Sequence, residues 1–307
     1  MKNAELGLRK KALNGFLWMV SGKGLEAILR IAILAILARL VSPDEFGLIS
    51  AALVVISFST IFSEMGIGPA LTQRKELKDI HIRTGLSFSI IFGVFFCVIV
   101  ILISPYLANF FKMDRLESVL RLTSVIFFIN SISLIGQSLL QRELRFNYLS
   151  SIEVLSYLLG YGGIGITLGY LDYGVWALVW AHISHAFFKT LLILIVLKLP
   201  FKFSFNYQAF KDLIGYGMGM TFAKIANYFA TQGDKLIVGR MLSSASLGVY
   251  GRAYNIMVMP ATLIGTAMDK ALFPTMAKVQ DDSRKLRKAY SAGIEAIGAL
   301  SIPLSVF

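Results

Sequence analysis

Lys23, Glu26 and Arg30 stand three and four residues apart in an otherwise apolar stretch, which puts all three on one helix face. Glu26 can pair with either base, leaving one positive charge over where an ionisable side chain is costly. Lys224, Asn227 and Thr231 repeat the placement at an offset of 201 residues, with Asp234 and Lys235 about a turn further on. His182, His185 and Lys189 share a face by the same spacing, Arg252 interrupts a later apolar run, and Glu64 lies near the end of the second one. The chemistry these residues allow is electrostatic. Groups at membrane depth face a bundle interior or a water-filled cavity, and a mostly cationic cavity favours an anionic passenger such as a pyrophosphate. Lys23, Glu26, Arg30, Lys189, Lys224 and Arg252 are the candidates for lining it, and Glu64 and Asp234 the candidates for ion coupling.

A plainer reading stands beside this one. Arg39, Arg240 and Lys211 lie near helix ends, where a basic side chain reaches back to the interface. Hydrogen-bonded packing suits His182 and His185 as well as proton transfer does, and a local salt bridge to loop bases suits Glu64. Tyr228, Tyr250 and Tyr254 can stack on a sugar, although packing and interface roles explain them too. Trp18, Trp176 and Trp180 occupy helix-end turns, as interfacial aromatics do. The run Gly160, Gly162, Gly163, Gly165 and Gly169 sits mid-helix with no strand before it, so it reads as close helix packing rather than a nucleotide loop. Cys97 is the only cysteine and reads as packing; an intrachain disulfide is excluded. No cofactor or metal site is expected, and no Walker loop or catalytic triad is present.

The elements that must position these residues follow from composition. The chain has 307 residues, of which 56% are hydrophobic and 16% charged, with a mean hydropathy of +0.69. The apolar residues fall in blocks long enough to cross roughly 30 Å of hydrocarbon, where only helices or closed barrels satisfy the backbone. The pattern predicts nine helices, at 12–40, 46–66, 84–108, 118–140, 148–169, 175–197, 209–240, 247–269 and 289–307. Turn chemistry at Ser42-Pro43-Asp44, Ser104-Pro105 and Leu199-Pro200 supports the breaks. With the amino terminus inside, the inner segments carry 18 Lys and Arg and the outer ones 2, which predicts a cytoplasmic amino terminus. That placement accounts for most of the net charge of +12 without nucleic acid. The basic, then apolar, beginning is too long and too charged for a cleaved signal peptide.

An internal repeat stands at the same offset of 201. Residues 36–42, Ile-Leu-Ala-Arg-Leu-Val-Ser, align with 237–243, Ile-Val-Gly-Arg-Met-Leu-Ser, and Phe46-Gly47-Leu48 with Leu247-Gly248-Val249. Ala70-Leu71 meets Ala271-Leu272, and Lys23 meets Lys224. Six helices per repeat make the repeats parallel, about an axis along the membrane normal. The expected organisation is a first lobe of about six helices over 1–201 and an incomplete second lobe of about three over 202–307. The chain then reads as a fragment of a longer two-bundle parent; the alternative is a natural nine-helix protein.

Two stretches carry a resemblance: Ile36 to Gly47 with Gly66-Ile67-Gly68-Pro69-Ala70-Leu71, and Asp234 to Arg240 with Leu247-Gly248-Val249-Tyr250 and Pro260. Both look like the signature segments of the O-antigen, exopolysaccharide and colanic-acid flippases, of the superfamily that also holds the MATE drug exporters and lipid II flippases. The resemblance implies an all-α, V-shaped, MATE-like transporter of two lobes in the bacterial inner membrane. It implies alternating access that carries an undecaprenyl-pyrophosphate-linked oligosaccharide from the cytoplasmic to the periplasmic leaflet. The partners it implies are the lipid-linked oligosaccharide and membrane lipids, with a polysaccharide polymerase and a chain-length regulator as further candidates. No enzyme activity is expected. A cation-coupled multidrug exporter is the first alternative, and it prefers unpaired intramembrane acids. A membrane acyl- or glycosyltransferase is the second. It needs an acid or His constellation, for which only Asp79 and His81 offer themselves, and these read as solvated loop residues.

Overall fold

A computed structural model describes residues 27–74, 76–197 and 204–258, with a few further positions between 284 and 298. The described elements are helical. They are α1 (27–40), α2 (Pro43–Glu64), α3 (Ile67–Gln73), α4 (Asp79–Phe111), α5 (Leu116–Thr123), α6 (Val125–Arg142), α7 (Phe146–Tyr157), a π-helical stretch (Leu158–Gly165), α8 (Ile166–Tyr170), α9 (Val175–Val196), α10 (Tyr207–Met241) and α11 (244–258). The chain runs back and forth through one bundle.

Among the described residues five helical stretches are long and apolar enough to cross a membrane: Pro43–Glu64, Asp79–Phe111, Leu116–Arg142, Phe146–Tyr170 and Val175–Val196. The protein is a multi-pass membrane protein. The expected count of nine is not reached. Much of the first, eighth and ninth predicted helices lies outside the described residues. Helix α10 has the length, 35 residues, but Lys211, Asp212, Lys224, Asp234, Lys235 and Arg240 keep it less apolar than the other five. On α4 the residues Ile91, Phe95, Val98, Leu102 and Tyr106 are exposed at three- and four-residue spacing, a stripe suited to lipid.

Local chemistry explains the boundaries. At α2 the Ser42 hydroxyl accepts from the Glu45 amide (3.4 Å) while Glu45 Oε2 accepts from the Ser42 amide (3.1 Å), a reciprocal cap followed by Pro43 in the first turn. Met65 and Gly66, both in the left-handed region, end α2 and turn the chain into α3. Two expectations are corrected in α4. Ser104-Pro105 does not break it; the helix continues to Phe111. Proline leaves the carbonyl four residues earlier without its amide, and the Ser104 hydroxyl donates to that carbonyl, of Ile101, at 2.8 Å. The helix also begins at Asp79, so Asp79 and His81 are helical rather than loop residues. His81 is buried, its Nδ1 accepting from the Lys78 amide at 3.1 Å. Elsewhere hydroxyls return to their own helix, as that of half-buried Thr60 does to Ile56 and that of buried Ser138 to Leu134, each at 2.8 Å.

The main core lies toward one end of the bundle, where Leu37, Phe46, Ala52, Phe111, Leu120, Val179 and Leu247 meet. A second cluster toward the other end joins Ile67, Leu71, Leu86, Phe88 and Ile135 to Leu213 of α10. There Arg74 pairs with Asp212 at 2.8 Å, and one Arg142 guanidinium nitrogen donates to the carbonyls of Leu71 (3.1 Å), Thr72 (3.2 Å) and Arg74. These are carbonyls that the end of α3 leaves over.

At the main-core end α2 and α11 cross with almost no side chains between them. A Cβ on Gly47 would collide with the Ser244 backbone, and one on Gly248 would collide with the Pro43 carbonyl and stand 2.8 Å from the Gly47 amide nitrogen. One on Gly251 would meet the Ser50 hydroxyl at 3.1 Å. Gly47 with Gly248 and Ser50 with Gly251 are positions equivalent at the offset of 201, and the contacts of Gly47 with Ser244 and of Gly248 with Pro43 are reciprocal under it. The cap is repeated too: the Ser243 hydroxyl accepts from the Ser246 amide at 3.2 Å. The Ser244 hydroxyl donates to Asp44 Oδ1 at 2.6 Å across the crossing.

Candidate functional site

The charged candidates collect around a carboxylate that the sequence reading passed over. Glu153 on α7 receives Lys189 Nζ at 2.9 Å, His185 Nε2 at 3.5 Å and an Arg30 guanidinium nitrogen at 3.8 Å. A period of about four on α7 continues from Glu153 to Tyr157 and Tyr161, and α9 offers Lys189, His185 and His182 in the opposite direction. The two faces pair rung by rung. Tyr157 and His185 rings meet edge-on at 5.8 Å, and the Tyr161 hydroxyl and His182 Nδ1 are 2.6 Å apart. Tyr157 stacks on Tyr161 with ring centres 4.7 Å apart, and Arg30 reaches in from α1 over the Tyr157 ring at 5.1 Å. Glycine makes the approach close enough: a Cβ on Gly160 would stand 2.6 Å from the His185 backbone nitrogen, and one on Gly165 would stand 2.9 Å from the Ala181 Cβ. Gly160 and Gly165 thus support close packing as the role of the glycine run. The π-helical stretch falls on that run, the kind of local widening that recurs at functional sites.

A second pair stands where α10 lies against α2. Lys224 Nζ donates to Glu64 Oε2 at 3.0 Å, both side chains about a third exposed. A turn onward, Tyr228 is buried and donates to the Val54 carbonyl at 2.7 Å, with Phe58 at 5.2 Å. Further along, Tyr250 donates to Asp234 Oδ2, Tyr254 donates to the Thr231 carbonyl at 2.9 Å, and the buried Lys235 ammonium lies 4.5 Å above the Tyr254 ring. Arg252 donates from Nε to the Gly248 carbonyl at 3.2 Å and covers Phe46 at 4.6 Å. Arg240 lies 5.3 Å above Phe110. Cys97 is half-buried, its sulfur 3.5 Å from the Ser124 hydroxyl.

The structure thus brings Arg30 and Lys189 together, with His182 and His185 beside them, and sets Lys224 with Glu64, Asp234 with Tyr250, and Arg252 at three other places. Lys23 and Glu26 lie outside the described residues, as does Trp18. Glu153, Tyr157 and Tyr161 were the residues missed. A signal for the first existed: Glu153 is the one acid in the predicted helix over 148–169. Among the described residues no group of three His, Cys, Asp or Glu side chains is arranged to hold a metal ion.

Comparison with known proteins follows the same lines. The chain is 25% identical over 300 residues to the lipopolysaccharide biosynthesis protein WzxC of Escherichia coli (strain K12), covering 97% of this chain and 61% of that protein. It is 27% identical over 301 residues to the teichuronic acid biosynthesis protein TuaB of Bacillus subtilis (strain 168), covering 97% and 62%. It therefore spans about 60% of the length of these relatives. The inward-facing structure of a multidrug resistance MATE family transporter of the MOP superfamily superposes with a TM-score of 0.65, at 16% identity, over 95% of this chain and 69% of that one. That likeness shows a MATE-type fold. The family profile described as polysaccharide biosynthesis protein matches residues 36–307, and the chain belongs to that family.

Proposed function

We propose that the protein acts as a flippase, carrying an undecaprenyl-pyrophosphate-linked oligosaccharide from the cytoplasmic to the periplasmic leaflet of the bacterial inner membrane. The observation that carries the reading is a surplus of cations at membrane depth in a chain of this family. Arg30, His185 and Lys189 share one carboxylate, Lys224 takes another, and Lys23 stands at the position equivalent to Lys224. A basic residue near the bilayer centre costs roughly 2.5–3.5 kcal/mol, and packing alone is served as well by Leu or Met. An anionic headgroup accounts for that cost. The multidrug-exporter alternative prefers unpaired acids, whereas Glu64 and Glu153 both carry cationic partners. The curated relatives are moreover named for polysaccharide biosynthesis, and the MATE likeness speaks for the fold alone.

In this reading the segments 1–201 and 202–307 are lobes around a central cavity, with the amino terminus cytoplasmic. The repeated cap at Ser42 and Ser243 and the reciprocal Gly47–Gly248 crossing support the pairing of equivalent helices. Lys23, Glu26, Arg30, Lys189, Lys224 and Arg252 contact the passenger, Glu64 and Asp234 couple ion movement, and a polymerase and a chain-length regulator take the product onward. The test deletes the gene and identifies the lipid-linked intermediate that accumulates on the cytoplasmic leaflet. Complementation with Lys23→Ala and Lys224→Ala in the full-length protein follows, scored as surface polysaccharide per inserted protein. Both variants should export less at equal membrane amount. A deletion strain without such an intermediate sinks the reading.

A further inference from the structure

At the offset of 201 the first lobe shows what the packing of α10 on α11 needs. Asp234, Lys235, Tyr250 and Tyr254 are equivalent to Ile33, Leu34, Ile49 and Leu53. Those four are hydrocarbon: Ile33 and Ile49 are buried in the main core, and Leu34 and Leu53 pack against it. Apolar side chains therefore serve the fold at these positions, yet the second repeat carries an acid, a base and two phenols there, and charges at membrane depth are costly. Three of the four polar groups are satisfied internally. Asp234 accepts from the Tyr250 hydroxyl through Oδ2 and from the Lys235 amide through Oδ1 at 2.8 Å, and Tyr254 donates to the Thr231 carbonyl at 2.9 Å. Lys235 is the exception. It is 9% exposed, and among the described residues its ammonium has the Tyr254 ring at 4.5 Å but neither a hydrogen bond nor an ion pair. An ammonium carries three donors, and burying a charge without acceptors is costly. What this cluster lacks is an anionic acceptor.

We propose that Lys235 binds the carboxylate of an acidic sugar in the passenger, at a subsite between α10 and α11 flanked by Tyr250 and Tyr254. The proposal rests on the flippase reading and deepens it by naming a class of sugar. A carboxylate on a pyranose fits both features of the cluster: the ammonium takes the charge, and the C–H face of the ring lies on aromatic surface. The two tyrosines are half-buried, with ring centres 6.1 Å apart and planes 30° from parallel. The register on α10 agrees. Lys235 follows Lys224 by eleven residues, about three helical turns, which sets both on one face roughly 16 Å apart. A headgroup at Lys224 and a sugar at Lys235 then lie along one line. The first lobe has Leu34 at the equivalent position, so the subsite belongs to the second lobe alone.

The test uses the full-length protein in lipid nanodiscs and three probes: undecaprenyl pyrophosphate bearing glucuronate, the same lipid bearing glucose, and undecaprenyl pyrophosphate alone. The parent should bind the glucuronate lipid at least about tenfold more tightly than the glucose lipid, the worth of a hydrogen bond to a charged group. Lys235→Leu installs the residue of the equivalent first-lobe position and should abolish that preference. Lys235→Arg keeps the charge and should retain part of it. The measure is a ratio within one variant, so a general loss of folded protein does not imitate the result. A parent without the preference, or a preference that survives Lys235→Leu, overturns the subsite and leaves the flippase reading standing. Equal weakening of all three probes by Lys235→Leu makes Lys235 a headgroup contact or a structural residue and likewise overturns the subsite. A parent that binds none of the three overturns both readings.

Discussion

Adding one methyl group at Gly248 should drive α2 and α11 apart. The new Cβ would collide with the Pro43 carbonyl oxygen and lie 2.8 Å from the Gly47 amide nitrogen. Both are backbone atoms, so no side chain can rotate aside. A relaxed carbon contact needs about 3.5 Å, and the two helices must separate to reach it. Overpacking of this kind costs about 1–3 kcal/mol, which lowers the population of the closed crossing roughly 5- to 150-fold. The assay places cysteines at Asp44 and Ser244, whose side chains meet at 2.6 Å, and follows their cross-linking by a short bifunctional reagent in membranes. Gly248→Ala should slow the cross-linking at least about fivefold. Gly233→Ala, on α10 with nothing within 4 Å of the added carbon, should leave it unchanged. Equal rates in Gly248→Ala and its parent would refute the backbone contact and the reasoning built on it.

Four further outcomes are expected. Ser104→Ala should lower the melting temperature in detergent, by about 1 kcal/mol of stability, because the Ile101 carbonyl loses its donor; adding Pro105→Ala should recover most of this by restoring the amide. Arg142→Met should cost about 2–3 kcal/mol in thermal unfolding, since it strips a donor from the carbonyls of Leu71, Thr72 and Arg74, and Lys at the same site should recover part. Exchanging the charges of Glu64 and Lys224 should restore inserted protein that Lys224→Glu alone loses; failure of the exchange would mean that the 3.0 Å pair is incidental. A membrane-impermeant thiol reagent outside intact cells should label a cysteine at Ser243 and leave one at Gln73 unlabelled, as the basic asymmetry of 18 to 2 requires; the reverse pattern inverts the topology.

Much of the helical layout is legible because hydrophobic length and turn residues decide it locally. The segment predicted over 175–197 is Val175–Val196, that over 209–240 is Tyr207–Met241, and that over 148–169 spans Phe146–Tyr170. The failures have non-local causes. Pro105 reads as a stop because its missing amide is visible, whereas the serine hydroxyl that compensates is seen only once its rotamer is known. The stripe of His182, His185 and Lys189 followed from helical spacing, but its partner did not. Pairing with Glu153 requires α7 and α9 to run antiparallel in one register, and Gly160 lets them approach that closely. Likewise Glu64 has loop bases nearby in the sequence, whereas its partner comes from 160 residues away on α10.

The crossing at Gly47 and Gly248 has the form that two copies of one chain adopt about a twofold axis, since 43 meets 248 while 47 meets 244. In a homodimer every change to such a patch is made on both sides at once. Here both sides belong to one polypeptide, so each can be adjusted alone. Glu45 in the first cap has Ser246 as its counterpart in the second. Ser50 faces its own counterpart, Gly251, where a second serine would crowd the 3.1 Å approach and a second glycine would leave it unfilled. Tethering therefore keeps the backbone footprint of a symmetric assembly while freeing its two surfaces to become chemically unlike.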